Sequence, residues 1–253
     1  MKAPPFTVLL TRPEEDSERL KKLLKKHHIT SWVEPMLTVH YPRPRIKAIA
    51  EALKQQPAAI LITSANGLRA LMKASSRRNG VLYTVGSASA EEARTAGYKQ
   101  VRVAEGNANL LARLVMQTRT PAEGTLLHIA GSVQVGDLAG KLKAAGYTVS
   151  RVTGYDAEPV RTLSPSLVKA LKAKQIPCVV FYSPRTARVF CRLVERVNVQ
   201  DACQSMQAIC LSEGVAKMLE PSQWQAIHVA TTPDTNAMLA LIDRAKQAIE
   251  KHG

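Results

Sequence analysis

The apolar run Ala59-Ile60-Leu61-Ile62 leads straight into the polar turn Thr63-Ser64-Ala65-Asn66 and then into the amphipathic stretch Gly67-Leu68-Arg69-Ala70-Leu71. A short unbroken apolar run bounded this way reads as a strand buried on both faces, the kind found in parallel sheets covered by helices on each side. Ser64 stands at the carboxyl end of that strand. There its hydroxyl can accept from an orphan helix amide, and open parallel sheets bind ligands along the same edge. The phrase returns as Val179-Val180-Phe181-Tyr182-Ser183-Pro184-Arg185-Thr186-Ala187-Arg188-Val189-Phe190, with Ser183 placed 119 residues after Ser64 and Arg188 placed 119 after Arg69. An α/β chain with a duplicated binding edge follows.

The rest of the chain alternates in the same way. Residues 6–11 read as a strand, Pro13 suits the first turn of a helix, and Glu14, Glu15 and Asp16 complement that helix's positive end. Residues 29–33 form the next strand, Pro35 interrupts, and 36–41 are a further extended segment running into Pro42-Arg43-Pro44. Helices are then expected over 46–53, 65–73, 88–95, 109–117 and 138–144, with strands over 60–63, 81–85, 101–103, 125–129 and 148–152. Thr153 to Pro159 takes the place that 36–41 held. The later part repeats the pattern, with helices over 167–173, from Thr186, 214–219 and 235–248 and strands from Val179, over 208–211 and 226–229. Leu20 and Leu24 recur as Leu138 and Leu142 at a displacement of 118, far too long for a solenoid and right for duplicated domains. Spacing alone leaves open two consecutive domains meeting near Pro121.

A chain of 253 residues that is 45% apolar has enough material for two modest cores. It has no apolar run of membrane-spanning length, and Met1-Lys2-Ala3-Pro4-Pro5 does not resemble a secretory signal, so a soluble cytoplasmic protein is expected. Cys178, Cys191, Cys203 and Cys210 contain no CxxC pair and read as reduced thiols. The net charge of +15 draws in anions, whether nucleic acid or a polyanionic small molecule. Aromatic residues make up only 4%, too few for base-stacking platforms, and no zinc-finger or RNP pattern is present. The lysines at 21, 22, 25 and 26 read as a solvated helix face.

No dinucleotide fingerprint, Walker loop, nucleophile elbow or HExxH motif occurs. Gly131-Ser132-Val133-Gln134-Val135-Gly136 reads as an ordinary strand-to-helix turn, His128 as a satisfied core or rim histidine, and His27, His28 and His228 as equally unremarkable. What recurs is a set of hydroxyl-bearing turns at strand ends: Thr11-Arg12-Pro13, Thr63-Ser64-Ala65-Asn66, Gly86-Ser87-Ala88-Ser89, Tyr182-Ser183-Pro184-Arg185, Ser212-Glu213-Gly214 and Thr231-Thr232-Pro233. In a doubly wound sheet these line one rim, where helix amino termini offer N–H donors to carboxylates or phosphates. The candidate ligand-binding residues are Arg12, Ser64, Ala65, Asn66, Ser87, Ser89, Ser183, Arg185, Ser212 and Thr232. The expected guest is a small molecule with many anionic arms, held by amides, hydroxyls and arginines.

The order of Leu9-Leu10-Thr11-Arg12-Pro13, Pro35-Met36-Leu37, Ile62-Thr63-Ser64-Ala65-Asn66-Gly67, Val85-Gly86-Ser87-Ala88-Ser89-Ala90 with Gly97, Gly146-Tyr147-Thr148-Val149 leading to Gly154-Tyr155, and Phe181-Tyr182-Ser183-Pro184 resembles the uroporphyrinogen-III synthase family over nearly the full length. The resemblance implies two flavodoxin-like parallel-sheet domains joined by a two-stranded connector. Residues 1–35 with 159–253 would form the first domain, 42–152 the second, and 36–41 with 153–158 the connector. It also implies a cofactor-free, metal-free lyase acting as a monomer, with neither nucleic-acid nor membrane partners. Its substrate would be hydroxymethylbilane, a linear tetrapyrrole bearing acetate and propionate arms. Loss of the ring A hydroxyl gives an azafulvene cation, ring D attacks through its substituted carbon, and the spiro intermediate reopens and recloses with ring D inverted. The enzyme's task would be chiefly to fold the chain and favour one attack. Tyr155 matches the family tyrosine that assists departure of the hydroxyl, and Ser64, Ser89 and Ser183 match substrate-contacting hydroxyl positions. Three positions depart from the family pattern: Val215 stands where threonine is frequent, Ser212 replaces a glycine, and Ala130 occupies a place often basic. The alternative is an inactive anion-binding or regulatory module of the same fold, with a nucleic-acid-binding protein a third reading.

Overall fold

The computed structural model describes residues 6–133, 136–219 and 223–252. Residues 1–5, and Gln134 and Val135 of the 131–136 turn, lie outside the described residues. In chain order the first half runs β1 (Thr7–Leu10), α1 (Glu14–Lys26), β2 (Thr30–Val33), β3 (Leu37–His40), α2 (Arg43–Lys54), β4 (Ala59–Ile62), α3 (Ala65–Ala74), β5 (Val81–Val85), α4 (Ser87–Thr95), β6 (Gln100–Ala104) and α5 (Ala108–Thr118). The second half runs β7 (Leu126–Gly131), α6 (Leu138–Ala144), β8 (Val149–Pro159), α7 (Pro165–Lys172), β9 (Cys178–Phe181), α8 (Pro184–Arg196), β10 (Gln207–Cys210), α9 (Glu213–Ala216), β11 (Ala226–Val229) and α10 (Thr235–His252). Two elements differ from expectation. The helix at 214–219 is only the short α9 continued by a turn, and the strand expected to stop at Val152 runs on through the 153–159 segment as one 11-residue strand.

The chain divides into two compact units, Met1–Thr38 with Glu158–Gly253, and Val39–Ala157. One sheet has the order β11-β10-β9-β1-β2 and the other β3-β8-β7-β4-β5-β6. The pairings of β1, β2, β9, β10 and β11, and those of β4 with β5 and β7, β5 with β6, and β7 with β8, are all parallel. Apart from the edge strand β3, the two orders correspond strand for strand: β1 with β7, β2 with β8, and β9, β10 and β11 with β4, β5 and β6. Each sheet therefore joins the first two strands of one sequence copy to the last three of the other. The pairing of β4 with β7 leaves no boundary near Pro121.

Alternation along the strands fills both faces of each sheet. Leu9, Val179 and Phe181 join Leu167, Ala187, Phe190 and Leu193 of α7 and α8, while Val8, Leu10, Cys178 and Val180 join Leu24, Met238 and Ile242 of α1 and α10. In the second sheet Ala59, Leu61 and Tyr83 meet Leu111, Val115 and Leu142, and Ile60, Ile62 and Leu82 meet Ile49, Leu68, Leu71 and Ala93. Burying such side chains stabilises by roughly 1.5–3 kcal/mol each before chain entropy is set against it. All four cysteines are free thiols. The 21, 22, 25 and 26 lysines of α1 are exposed.

Two features of the second sheet generate predictions. Gly67 brings α3 so close to β7 that an added Cβ would lie 2.9 Å from the Ile129 carbonyl oxygen. A backbone atom cannot move aside cheaply. Gly67→Ala should cost about 1–3 kcal/mol and lower the melting temperature by several degrees; thermal unfolding by circular dichroism checks this, and an unchanged midpoint contradicts it. The second feature is His128, between Leu61 and Arg151 on the flanking strands. It is buried as expected, but neither ring nitrogen has a hydrogen-bond partner among the described residues, so it is not the satisfied histidine that the sequence suggested. Burial first, and the neighbouring Arg151 charge second, push its pKa down to about 4. The unfolded imidazole titrates near 6.5. Between those values the unfolded chain binds a proton that the folded chain does not, so stability is complete above about pH 6.5 and falls as the pH is lowered toward 4. In denaturant titrations His128→Leu should flatten that decline; an unaltered pH slope would refute the assignment.

Candidate active site

Tyr155 owes its position to an irregularity in the β7–β8 ladder. Ala130 pairs with Thr153 but Gly131 pairs with Tyr155, so β8 carries an extra residue, Gly154, at that point. Such a bulge bends a strand and re-aims the side chain that follows it. Gly154 is the residue that fits there, since an added Cβ would come within 2.8–3.0 Å of Ile129, Ile49 and Ala70 side-chain atoms. Gly131 provides the second half of the arrangement. A Cβ on it would lie 2.9 Å from Cζ and 3.1 Å from the hydroxyl oxygen of Tyr155, so the phenol rests over bare backbone. The Ser132 amide donates to the Tyr155 carbonyl at 3.0 Å and fixes the register beyond the bulge.

The next residue anchors the strand from its side chain. Asp156 accepts from Arg45 Nε and Nη2 at 2.7 and 2.8 Å, and hydrogen bonds from Arg45 and then Ser132 hold its carboxyl below the usual carboxylate range. The pair borders an open cleft of about 640 Å³ that Arg151 and Thr153 also line. An ion pair that faces solvent adds little stability; bidentate geometry instead makes it a fixed strut beside Tyr155.

At the end of β4, Ser64 caps α3 by accepting from the Asn66 amide at 3.1 Å, as its place in the sequence suggests. Ala65 begins that helix. Asn66 is buried, and its Oδ1 accepts from Tyr41 Oη at 3.2 Å and from Arg69 Nη1 at 3.1 Å. Arg69 is buried against Glu92 of α4 through two contacts of 3.0 and 3.3 Å. The Tyr41 ring lies 6.4 Å from that of Tyr155, tilted by 48°. Ser64, Asn66 and Tyr155 thus belong to one neighbourhood of the second unit. Ser87 and Ser89 sit at the end of the adjacent β5, where Gly86, at φ +79°, occupies the cap position without a side-chain bond. Ser87 is exposed and Ser89 buried.

In the first unit the candidates lie at the carboxyl ends of β1, β9, β10 and β11. Thr11 is buried and donates to the Val180 carbonyl at 2.8 Å, tying β1 to β9. Arg12 is paired with Asp16 at 3.3 Å and stacked 4.4 Å from the Tyr182 ring centroid. Burial pushes the Tyr182 phenol up to about 12, and its hydroxyl has no hydrogen-bond partner among the described residues. Ser183 caps α8 by accepting from the Thr186 amide at 3.1 Å, with Arg185 half-buried one residue into the helix. Ser212 precedes the short α9 but makes no capping bond. The Thr232 hydroxyl serves Asp234, whose carboxyl that bond holds low and which accepts from the Ala237 amide at 2.9 Å. This rim therefore mixes charges, with Asp16 and Asp234 beside the hydroxyls. Of the departures from the family pattern, Val215 and Ala130 are both buried apolar residues.

Gly131, Tyr41, Arg45, Asp156, Arg69 and Glu92 were not singled out from the sequence as site residues. Gly131 was visible there only as a turn glycine and Arg69 as one of two arginines 119 residues apart, whose counterpart Arg188 is exposed and donates to Met218 Sδ at 3.1 Å.

The family model for Uroporphyrinogen-III synthase HemD matches residues 18–240. Among solved structures, a mutant uroporphyrinogen III synthase from the extremely thermophilic bacterium Thermus thermophilus aligns with a TM-score of 0.58 at 19% identity, over 96% of this chain and 99% of that one. Uroporphyrinogen-III synthetase from Helicobacter pylori aligns with a TM-score of 0.58 at 14% identity, over 94% and 99%. No curated protein matches the chain. At such identities the structural likeness speaks for the fold, while the family model spans most of the sequence, Tyr155 and its bulge included; the chain belongs to the uroporphyrinogen-III synthase family.

Proposed function

We propose that the chain closes hydroxymethylbilane to uroporphyrinogen III with inversion of ring D, and that Tyr155 assists the first step. The phenol passes its proton to the ring A hydroxyl, which leaves as water and generates the azafulvene cation that the substituted carbon of ring D attacks. The spiro intermediate then fragments and recloses, and a proton is lost to restore the pyrrole. The observation that supports this role is the Gly131–Gly154 arrangement, which holds one phenol in a fixed pose by backbone geometry. Fixed donors cost no reorganisation when charge develops.

The acetate and propionate arms fall to the strand-end groups of the units: Ser64, Ala65, Asn66, Ser87 and Ser89 in one, Arg12, Ser183, Arg185, Ser212 and Thr232 in the other. A serine that caps a helix by accepting an amide proton still has its own O–H to donate to a carboxylate. The net charge of +15 attracts such a substrate at long range. In this reading residues 36–41 and 153–158 connect a domain of 1–35 with 159–253 to one of 42–152. The enzyme acts as a cytoplasmic monomer without a metal or organic cofactor. Among the described residues no helix is long and apolar enough to cross a membrane.

The test supplies enzymatically generated hydroxymethylbilane and separates isomer III from isomer I. Tyr155→Phe should lower isomer III turnover about 100-fold, the low end for a general acid because a phenol is a weak one, with the far-ultraviolet spectrum unchanged. Full turnover in that variant would remove the tyrosine from the mechanism. Gly131→Ala, which drives a methyl group into the phenol, should reduce turnover in the same direction without touching any polar group.

A further inference from the structure

Two phenols stand together in the second unit, and the hydrogen bonds around one of them define what it can do. Arg69 has only protons to give, so its 3.1 Å contact identifies Asn66 Oδ1 as the acceptor. The Tyr41 hydroxyl at 3.2 Å from the same oxygen must then be a donor. Its proton is committed to Asn66. Arg69 is itself fixed by two contacts with Glu92, with side chains only 5% and 10% exposed. A buried ion pair of this kind is weak evidence for stability, because desolvation offsets much of the attraction. What it supplies is orientation, passed from Glu92 to Arg69, from Arg69 to the Asn66 amide, and from there to the Tyr41 ring. The Lys73 ammonium, 5.1 Å from the Tyr41 ring centroid, adds a further restraint. That ring packs 6.4 Å from Tyr155, whose phenol has bare Gly131 backbone beneath it.

We infer that Tyr41 is a positioning residue for Tyr155, holding the second phenol in its donating pose, and that the Glu92–Arg69–Asn66 relay is what keeps Tyr41 in place. The inference rests on the proposed role of Tyr155. A small displacement of a positioned group is enough to slow a reaction that depends on geometry. Tyr41→Phe keeps the ring and removes the hydroxyl, and with it the bond to Asn66. It should lower kcat for isomer III about three- to tenfold, the consequence of losing one ordinary hydrogen bond, while leaving KM within about twofold.

The decisive measurement is a double-mutant cycle with Tyr155→Phe. If Tyr41 acts through the Tyr155 hydroxyl, adding Tyr41→Phe to Tyr155→Phe produces no further loss. Equal losses in both backgrounds would show that Tyr41 acts independently, and no loss in either would show that it does not position anything; each overturns the inference while leaving the role of Tyr155 intact. Full kcat in Tyr155→Phe alone would instead remove the underlying reading, and the inference with it. Glu92→Gln, remote from the phenols, provides the second variant. It should reproduce the Tyr41→Phe loss in the wild-type background and vanish in the Tyr155→Phe background; a loss persisting there would count against the relay.

Discussion

β1 and β7 are the junctions on which the architecture depends. Each pairs on one side with the next strand of its own sequence copy, β2 or β8, and on the other with a strand of the opposite copy, β9 or β4. Neither copy can bury its apolar strands alone, because, the edge strand β3 aside, each contributes two strands to one sheet and three to the other. Loss of either junction would leave Val8, Leu10, Ile60 and Ile62 without the neighbours that cover them. Everything at the strand ends, including the bulge beneath Tyr155, is registered by these parallel ladders.

The parts of the fold that were legible in the sequence are those governed by neighbours along the chain. Ala59–Ile62 and Val179–Phe181 read as strands because burial on both faces removes polar alternation. Ser64 and Ser183 read as caps because the acceptor and the amide it satisfies are two or three residues apart. What escaped notice depends on contacts remote in sequence. Tyr41 reaches Asn66 across 25 residues, Arg69 reaches Glu92 across 23, and Arg45 reaches Asp156 across 111. Gly131 looked like a turn glycine because the ring that needs its missing Cβ comes from another strand. His128 looked satisfied because nothing local reveals that its neighbours offer no hydrogen bond.

The two copies have kept the scaffold and diverged in chemistry. Ser64 and Ser183 perform the same capping task 119 residues apart. Beyond them the resemblance ends: Asn66 and Arg69 in one copy belong to a buried polar network, whereas Arg188 in the other lies at the surface. At the strand ends of the first unit an arginine stacks on a phenol that has no hydrogen-bond partner among the described residues, and carboxylates stand nearby. Duplication thus produced equivalent frames, and among the described residues only one holds its tyrosine through a bulge and a pair of glycines.

Interleaving the copies also orders events as the polypeptide leaves the ribosome. The six strands of one sheet are all available once β8 has emerged, but β1 and β2, made first, wait for β9 to β11, which are made last. β9, the strand that pairs with β1, ends at Phe181, 22 residues after Pro159, so β1 waits about 1–4 s for it at ordinary elongation rates. Throughout that wait Val8-Leu9-Leu10, inaccessible to water in the finished protein, has only β2 to pair with. Translation speed and chaperone supply, acting on one nascent apolar strand, therefore bear on how much of the protein a cell recovers.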